Sequence, residues 1–132
     1  MTVALDSWAV LRLLEGREPA ASRVQDLLDE EQPVMSWLNL GEVFSVVSRD
    51  QGSVEAEHVI RDLRPYLRPD LPTERRILEA ARIKAEYPMA YADAFAAATA
   101  IAHAATLWTG DPELLLDDAP WSHEDLRASR RT

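Results

Sequence analysis

The sequence predicts an α/β domain with a short, mostly parallel central sheet flanked by helices. Two observations carry that reading. Short apolar runs of strand length, at residues 2–5, 33–36 and 105–109, are separated by segments of helical periodicity, the pattern of βα units. Acidic residues stand at the ends of these runs, where parallel sheets gather their ligands.

The elements follow in order. Thr2–Leu5 is a strand ending at Asp6 and Ser7, either of which can N-cap a helix Trp8–Glu15 that Gly16 stops. Ala20–Glu31 is a second helix, with Val24, Leu27 and Leu28 on one face. Residues 33–36 read as a buried strand, and Leu38–Arg49 as a helix ended by Gly52. Ser53 is expected to cap a helix Val54–Leu63, and Pro65 and Pro69 mark the loop beyond it. Leu67–Leu71 holds a short third strand. Thr73 starts the next helix, with Glu74 and Glu79 early and Arg82 and Lys84 late, the order the helix dipole favours; it ends before Pro88. Tyr91–Ala105 is a helix rich in small residues, Ala105–Thr109 a strand, and Glu113–Leu116 a short helix. The tail from Asp117 is polar, with Trp121 as its one large anchor, and its last six residues are expected to fray.

A chain of 132 residues suits one domain, here 1–132. Roughly two-thirds of the unfolded surface can be buried at that size, so no disulfide or structural metal is needed. Cysteine is absent, which removes zinc–thiolate sites, thiol catalysis and a disulfide framework, and is compatible with a reducing cytoplasm. The N-terminus has no basic leader before an acid interrupts its apolar run, so no secretory signal is expected. No stretch reaches the roughly 18 apolar residues of a membrane span. The expectation is a soluble, cytoplasmic protein with no membrane partner. The net charge of −9, from 14 Lys and Arg against 23 Asp and Glu, argues against a general nucleic-acid coat protein. It leaves room for a metal-dependent nuclease, whose bound cations meet the substrate phosphates locally.

Four carboxylates stand out: Asp6, Glu42, Asp93 and Asp111, each beside an apolar run. Like charges brought together without a cation repel and raise one another's pKa. A hard divalent ion with oxygen ligands relieves this. A Mg²⁺ or Mn²⁺ site, and with it phosphodiester chemistry, is the leading reading. Each acid also has a bland explanation. Asp6 and Asp111 suit a helix cap and a turn, and a Glu in the first turns of a helix is ordinary. Asp93, set among alanines and aromatics, is harder to explain that way.

The segments VALDS at residues 3–7, SWLNLGEV at 36–43, DAFAAATA at 93–100 and LWTGDPEL at 107–114 resemble the PIN-domain ribonucleases, and among them the VapC-type toxins of bacterial toxin–antitoxin pairs. Their order and spacing follow that family from the start of the chain to about residue 116. The resemblance implies a three-layer PIN-like fold and a Mg²⁺-dependent endoribonuclease (Mn²⁺ as substitute) that inhibits translation and growth. It also implies a homodimer and neutralisation by a cognate VapB-like antitoxin. Asp6, Glu42 and Asp93 match the family's acidic triad and Asp111 its fourth acid. Thr109 matches the small hydroxyl residue before that acid, and Ser7 stands similarly beside the first. In this reading Asp6 and Asp93 hold a first ion, directly or through water, and Glu42 and Asp111 complete the pocket or hold a second. The products would be a 5′-phosphate and a 3′-hydroxyl. Glu113 stands two residues past Asp111, with its role open. The family's usual final strand is not evident after Leu116.

Other constellations are weaker. His58, His103 and His123 lack metal-ligand spacing, and neither a GxGxxG nor a P-loop motif is present. Trp8, Trp37, Trp108 and Trp121 read as core and interface. Arg12, Arg17, Arg49, Arg75, Arg76 and Lys84 read as solvated helix faces that RNA phosphates can meet. Two alternatives remain open: a catalytically silent PIN-like protein-binding domain, and a small metal-dependent phosphatase suggested by ThrGlyAsp at 109–111. The phosphatase chemistry needs a second Asp two residues after Asp6, where this chain has Trp8.

Overall fold

The computed structural model describes residues 2–129. Five strands form one sheet in the order β3-β2-β1-β4-β5, and every pairing is parallel. They are β1 (Val3–Leu5), β2 (Val34–Ser36), β3 (Arg68–Asp70), β4 (Thr106–Thr109) and β5 (Ser122–Asp125). The helices are α1 (Ser7–Glu15), α2 (Ala20–Glu30), α3 (Trp37–Gln51), α4 (Ser53–Leu63), α5 (Glu74–Glu86) and α6 (Tyr91–Ala102), with a 3₁₀ turn at Arg64–Tyr66. Among the described residues, no helix is long and apolar enough to cross a membrane.

Alternation along the short strands sorts the core into two layers. Val3, Leu5, Met35 and Trp108 pack with α1–α4 on one face. Ala4, Val34 and Leu107 pack with Ala80, Ile83 and the alanines of α6 on the other. The small residues of α6 let that helix lie close to the sheet, and its segment Ala94–Ala100 is buried throughout. Both sheet edges are polar: β3 is Arg-Pro-Asp and β5 is Ser-His-Glu-Asp. Charge and proline of this kind discourage further strand addition.

Local chemistry sets the boundaries. The Asp6 carboxylate accepts from the Ala9 N–H at 2.9 Å and caps α1. Gly16, at φ 67°, closes α1 in the left-handed region. Ser36 and Thr73 cap α3 and α5 in the same way as Asp6.

Four expectations are corrected. A final strand does exist, β5, paired with β4 from Thr106–Ser122 to Thr109–Asp125. Its own residues carry no apolar alternation, and its anchors are the buried flanking residues Trp121 and Leu126. Glu113–Leu116 is a turn rather than a helix: the Leu114 and Leu115 N–H groups bond back only three residues, to the Asp111 and Pro112 carbonyls. The helix from Tyr91 ends at Ala102, where His103 and the positive-φ Ala104 turn the chain into β4. Ser53 does not cap α4 with its side chain; Gly52 occupies the cap position. Of the tail expected to fray, Arg127 is fixed by its N–H and guanidinium to the Asp125 carboxylate, and residues 130–132 lie outside the described ones.

Candidate active site

The sheet order places the chain reversal between β1 and β4. The chain builds β2 and β3 on one side of β1, then crosses to build β4 and β5 on the other. The crevice beyond the carboxyl ends of such neighbours is where open α/β sheets bind ligands. Asp6 follows β1 directly, and Asp111 follows β4 by two residues. Asp93 enters from the first turn of α6, and Glu42 from the second turn of α3.

Asp6 is 1% exposed. One of its oxygens caps α1, and the other accepts the Thr109 hydroxyl. The same Thr109 oxygen accepts from the Asp111 N–H at 3.0 Å, so one hydroxyl positions two acids. The Asp111 carboxylate in turn accepts from the Glu113 N–H at 3.0 Å, and Glu113 accepts from the Ala90 N–H at 3.3 Å. Ala90 is the cap residue of α6 and has no side chain to satisfy that turn. Glu113 thereby ties the loop after β4 to the residue that precedes α6.

Oxygen atoms of Asp93, Asp111 and Glu113 lie within 4.8 Å of one another. Asp6 and Glu42 stand outside this tight group. Both still belong to its electrostatics, since the charges of Asp111 and Glu42 raise the pKa of Asp6. Burial is the largest cause of that rise and outweighs the opposing bonds from Thr109 and Ala9, so Asp6 reaches about 7. Asp93 is pushed up to about 8, first by burial, then by the charge of Asp111 and a hydrogen bond between the two carboxyls, and further by Asp6 and Glu113. No Lys, Arg or His nitrogen lies within 4.0 Å of any of these acids among the described residues. An all-oxygen donor set of carboxylates that resist shared ionisation fits a hard divalent cation.

Thr109 touches the first and fourth acids. Ser7 does not: its hydroxyl donates to the Asn39 carbonyl at 3.3 Å. The histidines lie apart, His103 facing Asp70 at 3.6 Å and His123 facing the Leu116 carbonyl. The tryptophans are packed: Trp121 donates to the Leu114 carbonyl, and Arg12, Arg23 and Arg64 lie over Trp8, Trp108 and Trp37. A 490 Å³ groove lined by Trp37, Phe44, Ile60 and Arg64 contains none of the acids; mutually repelling carboxylates are the stronger mark of chemistry. Two contributors were not singled out from sequence. Asn39 is buried between helices, and its signal is a lone amide in an apolar helix start. Gly110 lies against the Trp8 ring, where a Cβ would meet ring carbons at 2.3 Å.

This arrangement defines a class: a doubly wound parallel sheet whose switch point is lined with carboxylates. The chain belongs to the PIN domain family, whose profile matches residues 3–119. No curated protein matches the sequence. Among solved structures the chain is similar to VapBC-1 from nontypeable Haemophilus influenzae, at TM-score 0.74 and 21% identity over 97% of this chain and 100% of that one. It is similar to VapBC2 from Rickettsia felis, bound to a DNA fragment from their promoter, at TM-score 0.74 and 17% identity over 95% and 98%. It is also similar to Mycobacterium tuberculosis VapC20, described as a sarcin-ricin loop cleaving toxin, at TM-score 0.70 and 15% identity over 86% and 92%.

Proposed function

We propose that this chain is a metal-dependent endoribonuclease of the VapC type, the toxin of a toxin–antitoxin pair. The observation that carries the reading is the meeting of Asp93, Asp111 and Glu113 within 4.8 Å, beside Asp6, with no Lys, Arg or His nitrogen within 4.0 Å of them among the described residues. Structural likeness to VapC proteins in toxin–antitoxin complexes supports it.

Mg²⁺, or Mn²⁺ in its place, is the ion proposed, held by Asp93 and Asp111 with Asp6 and Glu113 at hand. When bound, a divalent ion supplies the charge that acidifies a water and polarises a phosphoryl oxygen. The protein's part is positioning. Asp6 keeps lone pairs free on both oxygens although each accepts a hydrogen bond, and Thr109 holds it in register with Asp111. Glu42, exposed on α3, adds negative charge at the outer rim. Water attack in line on an RNA phosphodiester leaves a 5′-phosphate and a 3′-hydroxyl, and in a cytoplasmic setting cleavage of this kind stops translation and growth.

A VapB-like antitoxin is the proposed partner, and an arginine delivered among the acids would neutralise them in place of the ion. Homodimerisation is supported by exposed apolar side chains at Leu71, Ile77 and Leu78. The test is RNA cleavage by the purified protein with Mg²⁺, with Mn²⁺ and with chelator, with a phosphomonoester as a second substrate. Cleavage of RNA alone, lost with chelator and in Asp6→Asn and Asp93→Asn, is expected. Cleavage that survives both substitutions overturns the mechanism.

A further inference from the structure

Asn39 is 1% exposed inside α3, three residues before Glu42. Its amide nitrogen donates to the Ala92 carbonyl at 3.0 Å and to the Ser7 hydroxyl at 3.3 Å. The Ser7 hydroxyl donates back to the Asn39 backbone carbonyl at 3.3 Å. The Ala92 carbonyl can only accept, which fixes the orientation of the amide. One side chain thereby ties together three helices: α1, capped by Asp6; α3, which carries Glu42; and α6, where Ala92 directly precedes Asp93. The amide's Oδ1 is buried without a partner, a cost the bonds of its nitrogen must offset, and the residue contributes nothing to helix propensity that leucine would not exceed. Its contacts all lead to the segments that carry acids.

We infer that Asn39 is a positioning residue for the cation site, setting the mutual spacing of the Asp6, Glu42 and Asp93 helices through its bonds to Ser7 and Ala92. The inference rests on the proposed cation site and adds to it a residue that touches no ion. Ser7, expected to assist the first acid, acts at one remove as the second half of this clamp. Groups that orient ligands without binding the ion typically change metal affinity by about ten- to a hundredfold when removed.

The experiment measures Mn²⁺ binding to the purified full chain without RNA, by the loss of the free-ion electron paramagnetic signal. It compares wild type, Asn39→Ala, Ser7→Ala and Val47→Ala, with thermal melts to confirm folding. Val47 is a buried α3 residue remote from the amide's contacts, so Val47→Ala reports destabilisation alone. Asn39→Ala is expected to weaken Mn²⁺ binding by about tenfold or more, and Ser7→Ala less in the same direction. Combining the two should add little to Asn39→Ala, because they act as one unit. Val47→Ala should melt earlier yet bind as wild type does. Amide exchange at Asp93 and Ala94 should quicken in Asn39→Ala. A folded Asn39→Ala protein that binds Mn²⁺ as tightly as wild type overturns the inference. Should that variant not fold, unchanged affinity in Ser7→Ala overturns it. A wild-type protein that binds no Mn²⁺ overturns the cation site itself, an outcome distinct from either.

Discussion

The Thr109 hydroxyl donates to the Asp6 carboxylate across the junction of β4 and β1, at the point where the sheet order reverses. Its register pairing makes this inevitable: Leu5 faces Trp108, so the residues that follow each must meet. Both partners are buried. The bond lowers the cost of an ionised Asp6 in a site that otherwise favours the protonated acid.

Thr109→Val keeps the side-chain shape and removes the donor. Asp6 then loses the main hydrogen bond that restrains its pKa, and the Asp111 N–H loses its acceptor. A buried polar group left unsatisfied costs about 1–3 kcal/mol. The expected outcome is a higher pKa at Asp6, weaker Mg²⁺ binding and RNA cleavage reduced by roughly ten- to a hundredfold. Chemical denaturation and a pH–rate profile check it; an acid limb unmoved from wild type would contradict the assignment.

The raised pKa values of Asp6 and Asp93 fix the sign of the pH dependence without metal. The folded protein holds protons that the unfolded chain gives up near 3.8, so the contribution to stability is fully present below that pH. It is lost as pH rises through about 7 for Asp6 and about 8 for Asp93. Asp6 alone contributes on the order of a few kcal/mol across this window. In chelator, stability should therefore fall between pH 5 and pH 8, by roughly that order, and Asp93→Asn should be more stable than wild type at the alkaline end. Mg²⁺ should raise the melting temperature more at pH 8 than at pH 6, because at lower pH it must displace protons. Thermal melts with and without Mg²⁺ at both pH values decide this.

Two glycines near the site should respond oppositely to alanine. Gly110→Ala drives a Cβ into the Trp8 ring at 2.3 Å and shifts the loop that carries Asp111. Overpacking of this kind costs about 1–3 kcal/mol, and cleavage should fall with it. Gly41, beside Glu42 on α3, has open space around its Cα. Gly41→Ala should stabilise the protein by up to about 1 kcal/mol through helix propensity. Urea denaturation of the pair reads both signs, and a stabilised Gly110→Ala would show that Trp8 yields freely.

The parts of the fold legible in the sequence were those written in local chemistry. Asp6 and Thr73 announced the caps of α1 and α5, Gly16 announced the end of α1, and the apolar runs of β1, β2 and β4 carried the sheet. β5 was not legible, because Ser-His-Glu-Asp draws its stability from backbone pairing with β4 and from Arg23. That buried guanidinium binds the Glu124 carboxylate and the Asp125 and Ala128 carbonyls from the distant α2. The turn at 112–114 was misread because helix propensity at Glu113 and the leucines yielded to a turn whose Leu114 and Leu115 N–H groups bond back only three residues. That Asp6, Asp93 and Asp111 feel one another's charge follows from their positions at element ends, while Glu42 reaches them only as charge on Asp6. The place of Glu113 beside Asp93 and the bridging by Asn39 were not legible, since each depends on contacts between elements far apart in the chain.

Ligand reach, not burial, separates Glu113 from Glu42, which the sequence alone ranked higher. Glu113 shares the 4.8 Å group with Asp93 and Asp111 and also accepts from the Ala90 N–H at the start of α6. Both glutamates are exposed, but Glu42 stands outside that group and acts on it through its charge on Asp6. Charge felt at a distance through solvent is screened more strongly by salt than that of an oxygen within ligand reach. Glu113→Gln should therefore weaken Mn²⁺ binding more than Glu42→Gln, and its effect should persist at high salt while that of Glu42→Gln diminishes. Glutamine keeps an acceptor for the Ala90 N–H, so the loop should stay tied to the start of α6 and the melting temperature in chelator should hold or rise as one repelling charge is removed. Titration of Mn²⁺ at low and high ionic strength checks both. A Glu42→Gln defect that exceeds that of Glu113→Gln at high salt would place the ion nearer α3 than the loop after β4.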